Sequence, residues 1–195
     1  MILKRFLYCL DSIDDNLLEF DDINEVDNKA FMFDTTIDAV KFNEEIDCIK
    51  ESAFEECKEL KVAILGDNSV VDSVSYWPFN AVVIAKTEQS SKDKKDKEKD
   101  KEEEIPNTDK LTIQTKAFYN SSKLHTVIFP DDKNIAIEKD AFTGCPALRT
   151  VVFGSGKAEI HDQSFIGCNN VSFVCPKDSD AERFAREYGI KIINV

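Results

Sequence analysis

The sequence has few histidines, few glycines and a deficit of basic residues, and each shortage excludes a class of function. Two histidines and no CxxC pair leave no ligand set at the spacing of a zinc site. The six glycines form neither a GxxxxGKS nor a GxGxxG nucleotide motif, and HExxH is absent as well. With 25 basic residues against 38 acidic ones, the net charge of −13 argues against a nucleic-acid partner. We therefore expect no enzyme and no cofactor or metal.

Long hydrophobic runs are also missing. No stretch approaches the roughly 18 to 20 apolar residues that a membrane span needs. The N-terminus starts somewhat like a signal peptide, but Lys4 and Arg5 interrupt its apolar stretch and no small-residue cleavage site follows. These features predict a cytoplasmic protein. A cell-surface protein is the alternative, if the true start lies upstream and carries a signal sequence.

What the sequence does contain is an apolar pattern that recurs every 23 or 24 residues. In the segment AFTGCPALRTVVF, with Ala141 as position 0, the apolar positions 1, 4, 7, 10 and 12 are occupied by Phe142, Cys145, Leu148, Val151 and Phe153. The same pattern starts at Ala30, Ala53, Ala117 and Ser164. Such a period predicts a leucine-rich-repeat solenoid, a β-rich α/β horseshoe of about six repeats of 23 residues.

The segments AFTGC, SFIGC and AFEEC, each followed by a strand similar to LxxVxF, resemble the BspA-type leucine-rich repeats. The resemblance covers most of residues 26 to 195. It implies a protein that binds other macromolecules, as members in bacterial surface proteins and in protist proteins generally do.

Three cysteines share position 4 of the repeat, where the pattern requires a small buried side chain. We interpret Cys57, Cys145 and Cys168 as reduced core thiols rather than as disulfide or zinc ligands.

The pattern breaks down in two places. Residues 1–25 predict an N-terminal cap or degenerate repeat, in which NLLEF forms a strand. Residues 66–85 look like a damaged repeat containing Trp77, and the spacing from Ala53 to Ala117 leaves room for two periods. Residues 86–108, rich in lysine and acids, predict a disordered charged insertion loop. We expect one domain over 1–195, and the alternative is that this insertion links two domains.

Residues 177–195 predict a C-terminal cap. Asp178 or Ser179 is a suitable N-cap and Gly189 a suitable C-cap, and the apolar face of the intervening helix consists of Ala181, Phe184, Ala185 and Tyr188. A final strand should follow from Ile190 to Val195.

The predicted binding surface is the concave strand face. Position 8 carries Asp38, Lys61, His125, Arg149 and Ser172, and position 11 carries Lys41, Ile64, Ile128, Val152 and Cys175. Since positions 10 and 12 point into the core, positions 9 and 11 should face solvent. The alternative is that exposed strands simply favour β-branched residues. The candidate partner-binding residues are Lys61, Ile64, His125, Ile128, Arg149 and Val152.

These observations predict a monomeric, non-catalytic module that binds a protein partner on its concave face. One alternative is a cell-surface or host-adhesion protein. The other is a scaffold or regulatory subunit of an enzyme assembly. His125 and His161 fall at unrelated repeat positions, so they give no catalytic pattern.

Overall fold

The computed structural model describes residues 17–21, 23–66, 74–77, 81–84, 110–154 and 157–195. Over these ranges the chain forms short strands and one helix, α1 (Asp180–Glu187). The strands are β1 (Leu17–Phe20), β2 (Glu25–Val26), β3 (Ala39–Phe42), β4 (Cys48–Ile49), β5 (Val62–Leu65), β6 (Val74–Trp77), β7 (Ala81–Ile84), β8 (Lys110–Ile113), β9 (Thr126–Ile128), β10 (Asn134–Ile137), β11 (Thr150–Val152), β12 (Ala158–Ile160), β13 (Ser172–Cys175) and β14 (Lys191–Asn194).

Two parallel sheets form the sides of the solenoid. The seven-stranded sheet has the order β1-β3-β5-β9-β11-β13-β14, and the five-stranded sheet has the order β12-β10-β8-β4-β2. Each coil runs from the first sheet through a loop to the second sheet and returns through the AFxxC turn. The predicted leucine-rich-repeat solenoid is therefore confirmed, and the degenerate opening repeat does supply a strand, β1, which pairs with β3.

The AFxxC turns stack because their phenylalanines form one column in the core. The rings at position 1 lie parallel, with centroids 5.0 to 5.2 Å apart, in the order Phe31, Phe54, Phe118, Phe142 and Phe165. Position 3 has a positive φ in every coil, which is the conformation that Gly144 (φ 77) and Gly167 (φ 84) adopt without strain. The turn geometry is thus a property of the repeat and not of glycine alone.

Position 4 has a second role beside filling space. The thiols of Cys57, Cys145 and Cys168 donate hydrogen bonds to the position 1 carbonyl of the preceding coil, at 2.9, 3.1 and 3.1 Å. In the coil that starts at Ala117, position 4 is Ser121, and its hydroxyl makes the same bond to the Phe54 carbonyl at 2.9 Å. All four side chains are buried, and the five cysteines that the structure describes are free thiols. The predicted core thiols are therefore also donors that satisfy buried backbone carbonyls.

The damaged repeat does not occupy a coil of its own, which corrects the expectation of two periods between Ala53 and Ala117. Strand β5 pairs directly with β9, and β4 pairs directly with β8. The rings of Phe54 and Phe118 stack in the same way. Strands β6 and β7 pair antiparallel with each other, unlike the parallel strands of the repeats. The chain between Gly66 and Lys110 thus connects β5 to β8 of one coil, where the preceding coil has only the loop of residues 43–47 between β3 and β4.

A buried lysine connects the loops on the two sides of this insertion. The Lys133 ammonium, on the coil after it, donates to the Ile46 carbonyl at 2.7 Å and pairs with the Asp47 carboxylate at 2.6 Å, on the coil before it. The side chain is almost fully buried, and these partners replace water around its ammonium group. The predicted disordered loop, residues 86–108, lies outside the described residues.

The C-terminal helix covers the last coil. Ser179 is its N-cap and accepts a hydrogen bond from the Glu182 amide, while the Glu182 carboxylate accepts one from the Asp178 amide at 2.6 Å. Ala181 and Ala185 are buried and Phe184 packs on the core. Tyr188 is 47% exposed, so its predicted place on the buried face is wrong: it stacks on the Phe184 ring from outside. Among the described residues, no helix has the length and apolarity to cross a membrane.

The last coil is one residue shorter than the pattern predicts. Ser172 pairs with Thr150, Phe173 with Val151 and Val174 with Val152. Phe173 and Cys175 therefore belong to the core and Val174 to the opposite face, the reverse of the prediction. A slip of one residue exchanges the two faces of a strand because side chains alternate.

Candidate functional site

The candidate site begins at the residues that immediately precede the strands of the seven-stranded sheet. Backbone hydrogen bonds connect them from coil to coil. The Lys61 amide donates to the Asp38 backbone carbonyl at 2.7 Å, the His125 amide to the Lys61 carbonyl at 2.8 Å, and the Arg149 amide to the His125 carbonyl at 3.0 Å. We call Asp38, Lys61, His125 and Arg149 the strand-start row. Because β5 and β9 are neighbours, Lys61 lies beside His125, and no damaged repeat separates them.

The side chains of this row are accessible to different degrees. Lys61 is half-buried and pairs with the Asp38 carboxylate at 3.3 Å. Arg149 is exposed, and its guanidinium donates to the Pro146 carbonyl at 3.2 Å. In the next row outward, Lys123 pairs with Glu59 at 2.6 Å. Sequence reasoning did not select that pair, although it follows from position 6 of the same two repeats.

His125 lies between the two cations of the row. Its Nδ1 is 2.9 Å from the Thr126 hydroxyl. Burial lowers the pKa of His125, and the charge of the adjacent Lys61 lowers it further. The imidazole is therefore neutral near pH 7, since its ordinary pKa is already about 6.5.

The three apolar candidates are not accessible, which corrects the expectation that position 11 faces solvent. Ile64, Ile128 and Val152 are only 4%, 1% and 3% exposed. They do point away from the main core, and they form a second apolar cluster with Ala39, Val62 and Val174. Among the described residues, the partly buried side chains packed against this cluster are Leu17, Ile193 and Val195. Strand alternation determines the face of the sheet but does not determine whether that face meets solvent.

The outer face of the five-stranded sheet has a different character. It carries a shallow groove of about 560 Å³, lined in part by Lys110, Thr112, Glu138, Glu159 and His161. Lys110 pairs with Glu159 across it at 3.1 Å. A smaller groove of about 300 Å³ lies at the end of the solenoid beside Ile166 and Tyr188.

The two histidines belong to different parts of the fold. His125 precedes β9 in the seven-stranded sheet, and His161 follows β12 in the five-stranded sheet, next to the Asp162 carboxylate at 2.8 Å. Within the part of the chain that the structure describes, no group of three or more histidine, cysteine or acidic side chains could hold a metal ion.

Comparison with known proteins gives a family match. The model of the BspA type leucine-rich repeat region matches residues 6–95 and 101–182, in six copies. No curated protein sequence matches.

Two solved structures are similar. The crystal structure of the pneumococcal vaccine antigen PcpA is 14% identical with a TM-score of 0.55, and the alignment covers 93% of this chain and 42% of that one. A leucine-rich cell surface protein from Faecalibacterium prausnitzii A2-165 is 18% identical with a TM-score of 0.30, and the alignment covers 92% of this chain and 59% of that one. The chain thus spans less than two thirds of the length of either protein. The likeness to PcpA shows a common fold.

Proposed function

Because the chain belongs to the BspA-type leucine-rich repeat family, we propose that it is a non-catalytic module that binds a protein partner through the strand-start row. The family's repeat solenoid is typically a scaffold without catalytic groups. The observation that supports the proposal is the contiguity of Lys61, His125 and Arg149 on three successive coils. Repeat solenoids bind partners by presenting such rows over an extended surface.

The buried positions have a supporting role in this proposal. Ile64, Ile128 and Val152 are closed off from solvent. A partner on the strand-start row therefore contacts the N-terminal ends of the strands and not the apolar face of the sheet. The partner is a protein rather than a nucleic acid because the net charge is −13. We propose a monomer in the cytoplasm as the binding form.

A second candidate function is that of a cell-surface or host-adhesion protein. It is favoured by the similarity to PcpA, which is a vaccine antigen. Fractionation of the native cell with an antibody against this chain separates the two locations: surface protease treatment removes a surface protein and spares a cytoplasmic one.

Affinity capture with the tagged full chain, quantified by mass spectrometry, tests the proposal. The variant Arg149→Glu should recover at least about tenfold less partner than the wild type, the scale for losing a central interface contact. The matched control is Lys177→Glu, an equal change of charge on an exposed residue beyond the other end of strand β13. Thermal unfolding of both variants should match the wild type.

Full retention of every captured protein by Arg149→Glu contradicts the proposed surface. Recovery of an enzyme as the dominant partner instead identifies the chain as a scaffold or regulatory subunit of that enzyme.

A further inference from the structure

The strand-start row is a locally basic surface on an acidic protein. The chain carries −13 overall, yet from Lys61 to Arg149 the row carries no acidic side chain. Its acid, Asp38, lies at one end and pairs with Lys61. Lys123 in the adjacent row is likewise paired, with Glu59. Positive charge is therefore concentrated toward the Arg149 end of the row.

Arg149 supplies the charge that the row has available. Its side chain is exposed, and among the described residues no carboxylate lies within ion-pair distance of its guanidinium, whose contact is the Pro146 carbonyl. A guanidinium binds a carboxylate through two parallel N–H donors, which gives both strength and orientation. Lys61 and His125 follow at successive coils, about 4.8 Å apart as neighbouring strands are. Arg149 can thus bind one carboxylate of an extended segment, and further carboxylates of that segment can reach His125 and Lys61, whose ammonium they would share with Asp38.

Resting on the proposed function, we infer that the partner presents an acidic peptide segment whose carboxylates bind at Arg149, His125 and Lys61. The positive charge of this row attracts such a segment to the stretch from Lys61 to Arg149, which carries no acidic side chain. The acidic remainder of the protein repels the same segment. A basic segment would instead be repelled by Arg149 and attracted to the acidic remainder of the protein.

His125 adds a dependence on pH. Among the described residues, the charged groups on the coils around it include Lys61 and Arg149, with Asp38 beyond Lys61 and the Lys123–Glu59 pair in the next row. Without a partner, burial and Lys61 keep the pKa of His125 low and the ring neutral. A carboxylate bound beside it favours the imidazolium form, so binding takes up a proton. Affinity therefore rises as the pH falls toward the pKa of His125.

Fluorescence anisotropy with the full chain and a labelled oligoglutamate peptide tests the inference, with the oligoglutamine peptide of equal length as the control ligand. Oligoglutamate should bind at least about tenfold more tightly than oligoglutamine. Arg149→Glu should weaken the binding of oligoglutamate by at least about tenfold, whereas Lys177→Glu should change it by less than about twofold. Equal losses in the two variants would show a bulk charge effect and overturn the assignment, as would equal binding of the two peptides.

The second arm follows the pH. From about pH 8 to about pH 5.5, where glutamate carboxylates remain ionised, the wild type should bind oligoglutamate about two- to fivefold more tightly, and His125→Asn should not. An unchanged pH slope in His125→Asn removes His125 from the contact.

The two proposals fail in different ways. If oligoglutamate does not bind while Arg149→Glu still loses the captured cellular partner, the acidic segment is wrong and the interaction module stands. If Arg149→Glu retains the cellular partner, the module's surface itself is wrong.

Discussion

The two sheets of this solenoid have outer faces of opposite kinds. In the middle of the seven-stranded sheet, outward side chains such as Ile64, Ile128 and Val152 are apolar and buried, whereas Glu19 and Lys41 form an accessible ion pair on β1 and β3. On the five-stranded sheet they include Thr112 and Glu159, which line an open groove. Both faces belong to short parallel strands stacked in the same way. A parallel strand that is covered on both sides is a continuous apolar run, and the central strand β5, VAIL, has that composition and is buried throughout.

The largest expected effect comes from placing a charge on each face. Ile128→Glu should lower the free energy of unfolding by roughly 3 to 5 kcal/mol, because it leaves an unpaired carboxylate in a closed apolar cluster. Thr112→Glu, the same change of charge on an outward position of β8, should cost less than about 1 kcal/mol. Urea unfolding followed by circular dichroism measures both. Equal losses would mean that the two faces do not differ in their access to water.

Thiol labelling sharpens the comparison without a mutation. Cys48 is half-buried on the five-stranded sheet, whereas Cys57, Cys145 and Cys168 are buried in the core. Burial raises the pKa of Cys57 to about 12 and that of Cys168 to about 11, and it raises the pKa of Cys145 as well. A maleimide reagent, which reacts with the thiolate, should therefore modify Cys48 and spare those three in the native protein.

The pH dependence of this labelling has a definite sign. Burial and then the charge of Glu25 raise the pKa of Cys48. Neutral pH is therefore well below this pKa, and only a small fraction of Cys48 is thiolate. The rate should rise about tenfold for each unit of pH, measured by peptide mass spectrometry. In denaturant all the cysteines should react. Rapid native labelling of the three core thiols would refute their place under the phenylalanine column.

The smallest effect is expected from shortening the insertion. Deleting residues 90–104 should shift the melting temperature by no more than a few degrees, because the cost of closing a loop changes slowly with its length. Strand β5 pairs directly with β9 and β4 with β8, and residues 90–104 are not part of either pairing. The deletion should also leave the labelling of Cys48 unchanged. Global unfolding would show that this segment supports one of the two faces.

Much of the fold follows from the spacing of apolar residues, and particular residues show why. The column from Phe31 to Phe165 was predictable because stacking identical turns buries identical positions. The cap at Ser179 was predictable from local chemistry, since a hydroxyl before a helix satisfies a free amide. The hydrogen bond of Ser121 to the preceding coil was not, although its position in the repeat matches that of the cysteines.

The repeat spacing also predicted part of the candidate site correctly and part of it incorrectly. Its position 8 residues Lys61, His125 and Arg149 were located by counting, and the structure brings them into one row on consecutive coils. The assignment of repeat positions was wrong at Ser172. The last coil is one residue shorter there, so the strand shifts by one residue and its two faces are exchanged. The assignment also failed between Ala53 and Ala117, where residue numbers suggest two coils and strand pairing shows one.

The sequence by itself determined the repeat, the inward residues, the turns and the terminal helix, because each depends on neighbours one coil away at a constant spacing. Only the tertiary structure decided which coils are adjacent and which face of the seven-stranded sheet is closed. Both depend on contacts between residues far apart in the chain, such as Lys133 with Asp47 across the insertion. Alternation along a strand separates two faces of a sheet, and only the packing of the whole chain determines which of them meets water.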